Sequence, residues 1–280
     1  MAEYTKPPLD ESFYDLTEED LVFIKAQSGI EDPDTLKPKI YTFPMYEHVL
    51  DLGRKGGIVL DLGKCWSDGI PAQNLIASDL WPVFWDLGHE LFNSTPATFP
   101  AAFLAGDTFD PAFLEPFPPL TPSSDVPVPA APAPLNSLTN LAPLRGHLAA
   151  IHATCLFHLF LEPQQAQLAR ALGGLLAPAP GAVILGSHVG RRAKGANEKG
   201  PFCSGGHRMF CHSPSSWKEQ WKGIFSEGAV EVRAELREKE KKGWGNERRV
   251  EDEQSDTHIG QPVWPVARLR FYVRCRLRKK

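Results

Sequence analysis

The sequence predicts an α/β fold with a mostly parallel sheet, and three patterns support that prediction. Ile58 to Leu62 is a short apolar run containing one acidic residue, Asp61, which suits a strand buried on both faces. Further short apolar runs alternate along the chain with segments of helical period. Near the carboxyl end, two segments of period two are joined by a charged stretch, which predicts an antiparallel pair of strands.

Seven strands are predicted, near residues 58–62, 75–78, 102–105, 148–153, 181–186, 229–236 and 266–277. In the last strand Leu269, Phe271 and Val273 alternate with arginines, and we expect this strand to run antiparallel to its neighbours. The charged stretch from about Arg237 to His258 is predicted to be the loop before it. The segment from Val189 to Arg208 is predicted to be a glycine-rich loop.

Five helices are predicted, over residues 16–28, 44–52, 81–92, 161–177 and 215–225. Thr17 fits the N-cap of the first helix, and Gly29 and Gly53 fit the ends of the first two. Pro82 lies in the first turn of the third helix, where proline is tolerated, and apolar residues follow it at helical spacing. The fifth helix carries Trp217, Trp221 and Phe225 on one side.

Residues 111–143 have a composition unlike the rest of the chain. Ten prolines lie there among serine, threonine and alanine, a pattern that favours polyproline II over a packed core. We predict a surface insertion that joins two halves of one domain, with neither helix nor strand from Ser123 to Pro134. A proline-rich ligand for a recognition module is the alternative.

Composition narrows the class of protein and its partners. A net charge of −4 gives no general attraction to nucleic acid, and the arginines of the last strand are expected to face solvent. No apolar run approaches the ~20 residues that span a bilayer. Five scattered cysteines and an acidic, polar amino terminus predict free thiols and a cytoplasmic protein without membrane association.

The connection between the first two strands is short. Only twelve residues separate Leu62 from Leu75. A crossover between parallel strands needs a dozen or more residues, and a helix returning along a strand of ~17 Å takes about eleven before any loop is counted. Asp68, Gly69 and Pro71 also disfavour a helix, so the first crossover is predicted to be abbreviated.

Acidic residues follow two neighbouring strands of the predicted sheet. Asp61 and Gly63 end the first strand, and Asp79 ends the second. Ligands of open α/β sheets lie beyond the carboxyl ends of the strands, where a carboxylate can accept hydrogen bonds from ribose hydroxyls. These residues therefore predict a nucleotide-like ligand. The alternative is that the carboxylates only cap loops.

Eight short blocks in order resemble one family over most of the chain. They are VLDLG (59–63), DGIPAQNL (68–75), ASDL (77–80), LGHELF (87–92), GDTFD (106–110), IHA (151–153), FHLF (157–160) and PGAVILG (180–186). Together they resemble the fungal class I S-adenosylmethionine-dependent methyltransferases of meroterpenoid and polyketide biosynthesis. The segment after Gly63 departs from the family, whose members have a cysteine- and glycine-containing loop and the start of a helix there.

The resemblance implies a Rossmann-like, seven-stranded sheet with a reversed last strand and helices on both faces. It implies S-adenosylmethionine as cofactor and O-methylation of a carboxyl group on a small-molecule intermediate. Its implied cofactor contacts are Asp61 and Gly63 near the methionine, Asp79 and Leu80 at the ribose and adenine, and Asp107 and Thr108 near the adenine amino group. A carboxylate acceptor is ionised at neutral pH and needs no general base.

Two histidines, His152 and His158, lie at the carboxyl edge of the fourth strand and are the candidates to face the substrate. A structural role is the favoured interpretation for both. Cys203, His207, Cys211 and His212 match no common closed zinc site, so no metal is predicted.

We expect residues 1–54 to form a helical cap and residues 55–280 the methyltransferase domain, with a homodimer as the candidate oligomer. Because the shortened crossover removes hydrogen bonds to the cofactor, we expect binding weaker by about 10²-fold or more. A degenerate relative that binds or shapes a small molecule without methyl transfer is the alternative function. A further alternative concerns the short crossover itself: the natural transcript encodes a longer connection between Gly63 and Asp68 than this sequence contains.

Overall fold

The computed structural model describes residues 45–62, 69–120, 129–130, 132–197, 209–239, 247–250 and 268–276. Its helices are α1 (Tyr46–Arg54), α2 (Pro82–Leu91), α3 (Glu162–Leu175) and α4 (Pro214–Lys222). Its first five strands are β1 (Ile58–Leu62), β2 (Leu75–Asp79), β3 (Ala102–Ala105), β4 (Leu148–Ala153) and β5 (Val183–Val189). The others are β6 (Gly195–Asn197), β7 (Met209–Cys211), β8 (Val230–Lys239), β9 (Glu247–Val250) and β10 (Arg268–Cys275).

The main sheet has the order β3-β2-β1-β4-β5-β10-β8-β9. Strands β1 to β5 pair in parallel, whereas β10 is antiparallel to both of its neighbours, β5 and β8. All seven predicted strands are therefore present, and the prediction of a Rossmann-like sheet with a reversed last strand is confirmed. The strand order changes direction between β1 and β4, which makes the carboxyl edge of these two strands the expected ligand site.

Two segments predicted as loops contain strands. β8 continues to Lys239, and β9 pairs antiparallel with its outer side, so the sheet has eight strands among the described residues. Charged residues are compatible with such a position because an edge strand keeps one side in solvent. β6, within the predicted glycine-rich loop, pairs with β7 in a separate two-stranded sheet.

One face of the sheet is covered by α3 and α4 and holds most of the core. Phe157, Trp217, Trp221 and Phe271 are among its fully buried side chains. The apolar side predicted for the fifth helix is thus confirmed. The helix begins at Ser213, whose Oγ accepts a hydrogen bond from the Ser216 N–H at 3.2 Å, an N-cap contact.

The opposite face is covered by α1, which buries Tyr46, Val49 and Leu50 against β1, β2, β4 and β5. This helix is the described part of the predicted cap, and it packs directly on the sheet. The helix predicted over residues 16–28 lies outside the described residues. The division at residue 54 and the cap over a substrate stay predictions.

The proline-rich segment is not entirely a surface insertion. Phe113, Leu114 and Leu141 are buried in the main core, so this part of the prediction is wrong. Prolines set the turns of the segment while the apolar residues between them pack inward. Residues 129–130 and 132–134 have neither helix nor strand, as predicted, and the rest of 123–134 lies outside the described residues.

Arginines of the terminal strands are paired with glutamates. Glu231 accepts hydrogen bonds from Arg233 and Arg274 at 2.8 Å each, and Glu235 accepts one from Arg237 at 2.6 Å. Three of the arginines of the described strands are thus paired with two glutamates. None of the helices described here has both the length and the apolar character to cross a bilayer.

Candidate functional site

The described end of the first crossover is held against α1. Asn74 Nδ2 donates to the Gly53 carbonyl at 3.0 Å, and Arg54 Nε donates to the Gly69 carbonyl at 3.3 Å. Gly69 therefore lies near the amino end of β2, and only residues 63–68 remain for the return from β1. A six-residue helix would be about 9 Å long, against a strand of ~17 Å, so a crossover helix as long as the strand does not fit.

A cavity of about 380 Å³ lies between α2 and the carboxyl ends of β1, β2 and β3. Its walls are mainly aromatic. Trp85 of α2 stacks on Phe103 of β3, with ring centroids 5.0 Å apart. Asp61, Ser78 and Asp79 line the cavity at the strand ends. An apolar cavity with a few polar groups at one end has the general character of a small-molecule site.

Helix α2 is incompletely covered. None of its ten residues is buried, and Val83, Phe84 and Leu91 are 38%, 47% and 48% exposed. These residues follow the predicted apolar spacing. The open face of α2 lies beside the cavity, since Phe84 and Leu91 are both exposed and line it.

Asp79 caps a turn and also lies at the cavity, and its contact with a cofactor stays a prediction. Its Oδ1 accepts a hydrogen bond from the Trp81 N–H at 2.9 Å, which caps the turn into α2. The same carboxylate lines the cavity. Leu80, the next predicted contact, is 51% exposed beside it.

Two of the other predicted cofactor contacts, Asp107 and Thr108, do not lie at the cavity. Asp107 is exposed after β3, and its Oδ1 accepts from the Phe109 N–H at 2.8 Å, as in a capped turn. Neither Asp107 nor Thr108 lines the cavity. Gly63 lies outside the described residues, as do Cys203 and His207 of the rejected zinc site.

Asp61 and His152, predicted separately as a cofactor contact and a catalytic candidate, contact each other. His152 Nδ1 lies 2.8 Å from Asp61 Oδ1, and His152 Nε2 lies 2.7 Å from Thr154 Oγ1. The parallel register of β1 and β4 places Asp61 directly opposite His152. Both are almost fully buried. This chain of three polar side chains ties the ends of β1 and β4 together.

His158 belongs to a group of three buried histidines, which we call the histidine cluster: His158, His188 and His212. His158 follows β4, His188 ends β5, and His212 follows β7. Burial lowers the pKa of both His158 and His212 to about 4. Burial, together with the charges of the other two histidines, holds the pKa of His188 well below its usual value. These imidazoles are neutral at pH 7.

Sequence analysis missed His188 and His212 as neighbours of His158. The available signal was the strand order, because parallel β4 and β5 place His158 and His188 at the same edge of the sheet. His212 is brought in by β7 and α4, whose positions no local pattern predicts.

Several known fungal methyltransferases are similar to this chain in sequence. No family model matches the chain. O-methyltransferase phiE from a fungal species (strain ATCC 74256) is 28% identical over 215 residues, 74% of this chain and 62% of phiE. Methyltransferase adrK from Penicillium rubens is 25% identical over 248 residues, 84% of this chain and 78% of adrK.

The chain is related in sequence to fungal methyltransferases of secondary metabolism. A further relative, the asnovolin E/chermesin D methyltransferase nvfJ of Aspergillus novofumigatus, is 28% identical over 65% of this chain and 58% of its own length. Among solved structures, a toxoflavin-pathway N1-methyltransferase from Burkholderia thailandensis aligns with 99% of this chain and 95% of its own, at 10% identity and a TM-score of 0.44. The fold assignment rests on the strand order above.

The cofactor that these methyltransferases would share can be compared with the described residues. Asp79 offers a carboxylate at the end of β2, and the aromatic cavity beside it offers an apolar wall. These features fit a ribose and a purine. Of the two residues predicted near the methionine, Asp61 lines the cavity, and Gly63 lies outside the described part of the chain.

Proposed function

We propose that this protein is an S-adenosylmethionine-dependent methyltransferase acting on a small molecule of fungal secondary metabolism. The observation that carries the proposal is the relationship to named fungal methyltransferases over 74% and 84% of the chain. The sheet supports it, because Asp61 and Asp79 lie at the carboxyl ends of the adjacent strands β1 and β2, and the strand order changes direction beside β1. A cytoplasmic location and a homodimer belong to the same proposal.

The acceptor atom we propose is a carboxylate oxygen. Methyl transfer from a sulfonium is an in-line displacement that depends on positioning the two reactants and excluding water. Because a carboxylate is already ionised, the site needs no general base. This agrees with His152, whose two ring nitrogens lie within hydrogen-bond distance of Asp61 and Thr154 and are not directed to a substrate.

Each described residue then has a definite role. Asp79 would accept hydrogen bonds from the ribose hydroxyls, and the aromatic wall of Trp85 and Phe103 would contact the purine side of the cavity. Asp61 acts through His152, because their contact fixes β1 against β4 at the edge where the reactants would meet. S-adenosylmethionine, when bound, would supply the methyl group and the positive charge that makes it transferable.

Titration calorimetry with S-adenosylhomocysteine and S-adenosylmethionine tests the proposed site. In protein carrying about eight to ten additional residues after Gly63, where binding is expected to be measurable, Asp79→Ala should weaken binding at least about tenfold, because a hydrogen-bonded charged group contributes roughly 1.5–3 kcal/mol. Asp86→Ala is the matched control, since Asp86 is exposed on α2, the helix that follows Asp79, and does not line the cavity. Equal affinities for Asp79→Ala and its parent form would exclude Asp79 from the site.

One observation favours the second function, a non-methylating relative that binds a small molecule. The cavity has mainly apolar walls and is large enough to hold a small ligand without any cofactor. Radiolabelled methyl transfer to a panel of polyketide and terpenoid carboxylic acids separates the two. Ligand binding without methyl transfer, even in a variant with a lengthened crossover, would favour this second function.

A further inference from the structure

The histidine cluster is polar and deeply buried, and several of its ring nitrogens have no hydrogen-bond partner among the described residues. His188 is 2% exposed, and neither of its ring nitrogens has a hydrogen-bond partner among the described residues. The same holds for Nδ1 of His158. His212 Nδ1 is engaged, at 2.9 Å from Ser216 Oγ. A neutral imidazole carries one donor and one acceptor, and burying them unpaired costs free energy, so a cluster of them calls for a partner.

Aromatic contacts hold the three rings together. His188 packs edge-on against Trp217 with ring centroids 4.4 Å apart, and His212 packs on the same indole at 5.2 Å. His158 lies 6.5 Å from His188. Trp217 Nε1 is a further buried donor without a partner among the described residues. Polar atoms from three separate chain segments are thus fixed near one another by rigid neighbours.

The electrostatic surroundings favour a negative ligand group over a positive one. The groups that act on His188 are the other two histidines, and no carboxylate is among them. His212 is influenced by Glu162 and Lys194, which form an ion pair with each other at 2.9 Å, and by the neutral side chain of Gln220. Among the described groups that act on the pKa of His188 and His212, the one carboxylate, Glu162, is thus paired with a lysine.

The position suits a methyl acceptor. The cluster lies at the carboxyl edge of β4 and β5, next to the strand pair β1–β4 that carries Asp61 and His152. Leu159 and Leu161, which flank the turn after β4, are 58% and 49% exposed and offer an apolar rim beside His158. A ligand with a hydrophobic body and one polar end would match both features.

We infer that the histidine cluster binds the carboxylate of the methyl acceptor, with imidazole and indole N–H groups donating to its oxygens. This inference rests on the proposed methyl transfer and names the acceptor side of that site. The hydrophobic body of the acceptor would lie over the Leu159–Leu161 rim. His188, at the centre of the cluster, is the specificity-determining residue for an acidic over a neutral acceptor.

The test uses two probes of one shape, 2-naphthoate and its neutral amide, 2-naphthamide, with no cofactor present. In protein carrying ¹⁵N-labelled histidine, 2-naphthoate should shift the ring resonances of the histidine cluster, and 2-naphthamide should shift them far less. His188→Phe keeps an aromatic ring against Trp217 and should weaken 2-naphthoate binding at least tenfold. His158→Gln, at the rim, provides a second variant if His188→Phe does not fold.

His48→Gln is the matched control, because His48 contacts the Gly181 carbonyl ahead of β5, at the opposite edge of the sheet. It should bind 2-naphthoate as the unaltered protein does. Equal binding of the two probes, or unchanged 2-naphthoate affinity in both cluster variants, would overturn the inference and leave the cluster a structural feature. Because no cofactor is used, failure to bind S-adenosylmethionine would count against the proposed function alone.

Discussion

His152→Ala is the substitution that we expect to damage the fold most among the site residues. His152 lies between Asp61 Oδ1, at 2.8 Å, and Thr154 Oγ1, at 2.7 Å. Asp61 is 1% exposed and Thr154 is 6% exposed, so solvent cannot replace the lost imidazole without opening the sheet edge. The substitution therefore removes the imidazole partner of a buried carboxylate and of a buried hydroxyl.

The expected magnitude follows from that burial. Removing one partner of a buried ionic or charge-assisted pair costs about 3–5 kcal/mol, because the other group stays desolvated. The unfolding free energy of a typical domain is only about 5–15 kcal/mol. His152→Ala should therefore lower the urea midpoint sharply, with little change in the slope of the transition.

His48→Ala is the control for this measurement. It also removes one histidine hydrogen bond, to the Gly181 carbonyl at 2.7 Å, but from a partly buried position with no carboxylate. We expect it to cost about 1 kcal/mol. A loss below about 1 kcal/mol for His152→Ala, equal to that of the control, would refute the view that Asp61 depends on His152 for its burial.

Two glycines should respond oppositely to alanine, and the histidine cluster should make stability depend on pH. Gly88→Ala should stabilise by about 1 kcal/mol, because it lies in helix α2 with nothing within 4 Å of a new Cβ. Gly186→Ala should destabilise the protein by about 3 kcal/mol or more, since the new Cβ would collide with the Ala153 carbonyl oxygen. Thermal unfolding of the two glycine variants tests whether one melting temperature rises and the other falls. The pKa values of His158 and His212 are about 4 in the folded protein, against 6.5 in the unfolded chain. Between these two pH values, the histidines therefore take up protons only when the protein unfolds. The contribution of these histidines to the free energy of unfolding should be complete above about pH 6.5 and should fall by about 2 kcal/mol per histidine between pH 7 and pH 5. Denaturation curves at several pH values test this, because the free energy of unfolding of His158→Gln should depend less on pH.

The sheet was predictable because its strands are marked by local patterns. Continuous apolar runs such as Ile58 to Leu62 and the alternation around Phe271 have periods that depend only on nearby residues. β9 escaped prediction because charged residues can occupy an edge strand without any apolar signal. The burial of Phe113 also escaped, since a proline-rich average hides single apolar residues that pack inward.

The candidate site was only partly predictable, for a different reason. Asp61, Asp79 and His152 could be placed at the carboxyl edge, because strand ends are readable from the sequence. The contact between Asp61 and His152 needed the β1–β4 register, which joins residues 91 positions apart. The histidine cluster needed three segments and the packing of Trp217, so it depends on tertiary structure alone.

Calorimetric titration of S-adenosylhomocysteine and S-adenosylmethionine into two forms of the protein tests the central claim most directly. One form is the chain as it stands, with twelve residues between β1 and β2, and the other carries about eight to ten additional small and helix-forming residues after Gly63. We predict that the chain as it stands binds weakly or not at all and that the lengthened form binds at least about 10²-fold more tightly. Micromolar binding by the unaltered chain, or no binding by the lengthened one, would contradict the claim that the sheet edge is a cofactor site limited by its short crossover.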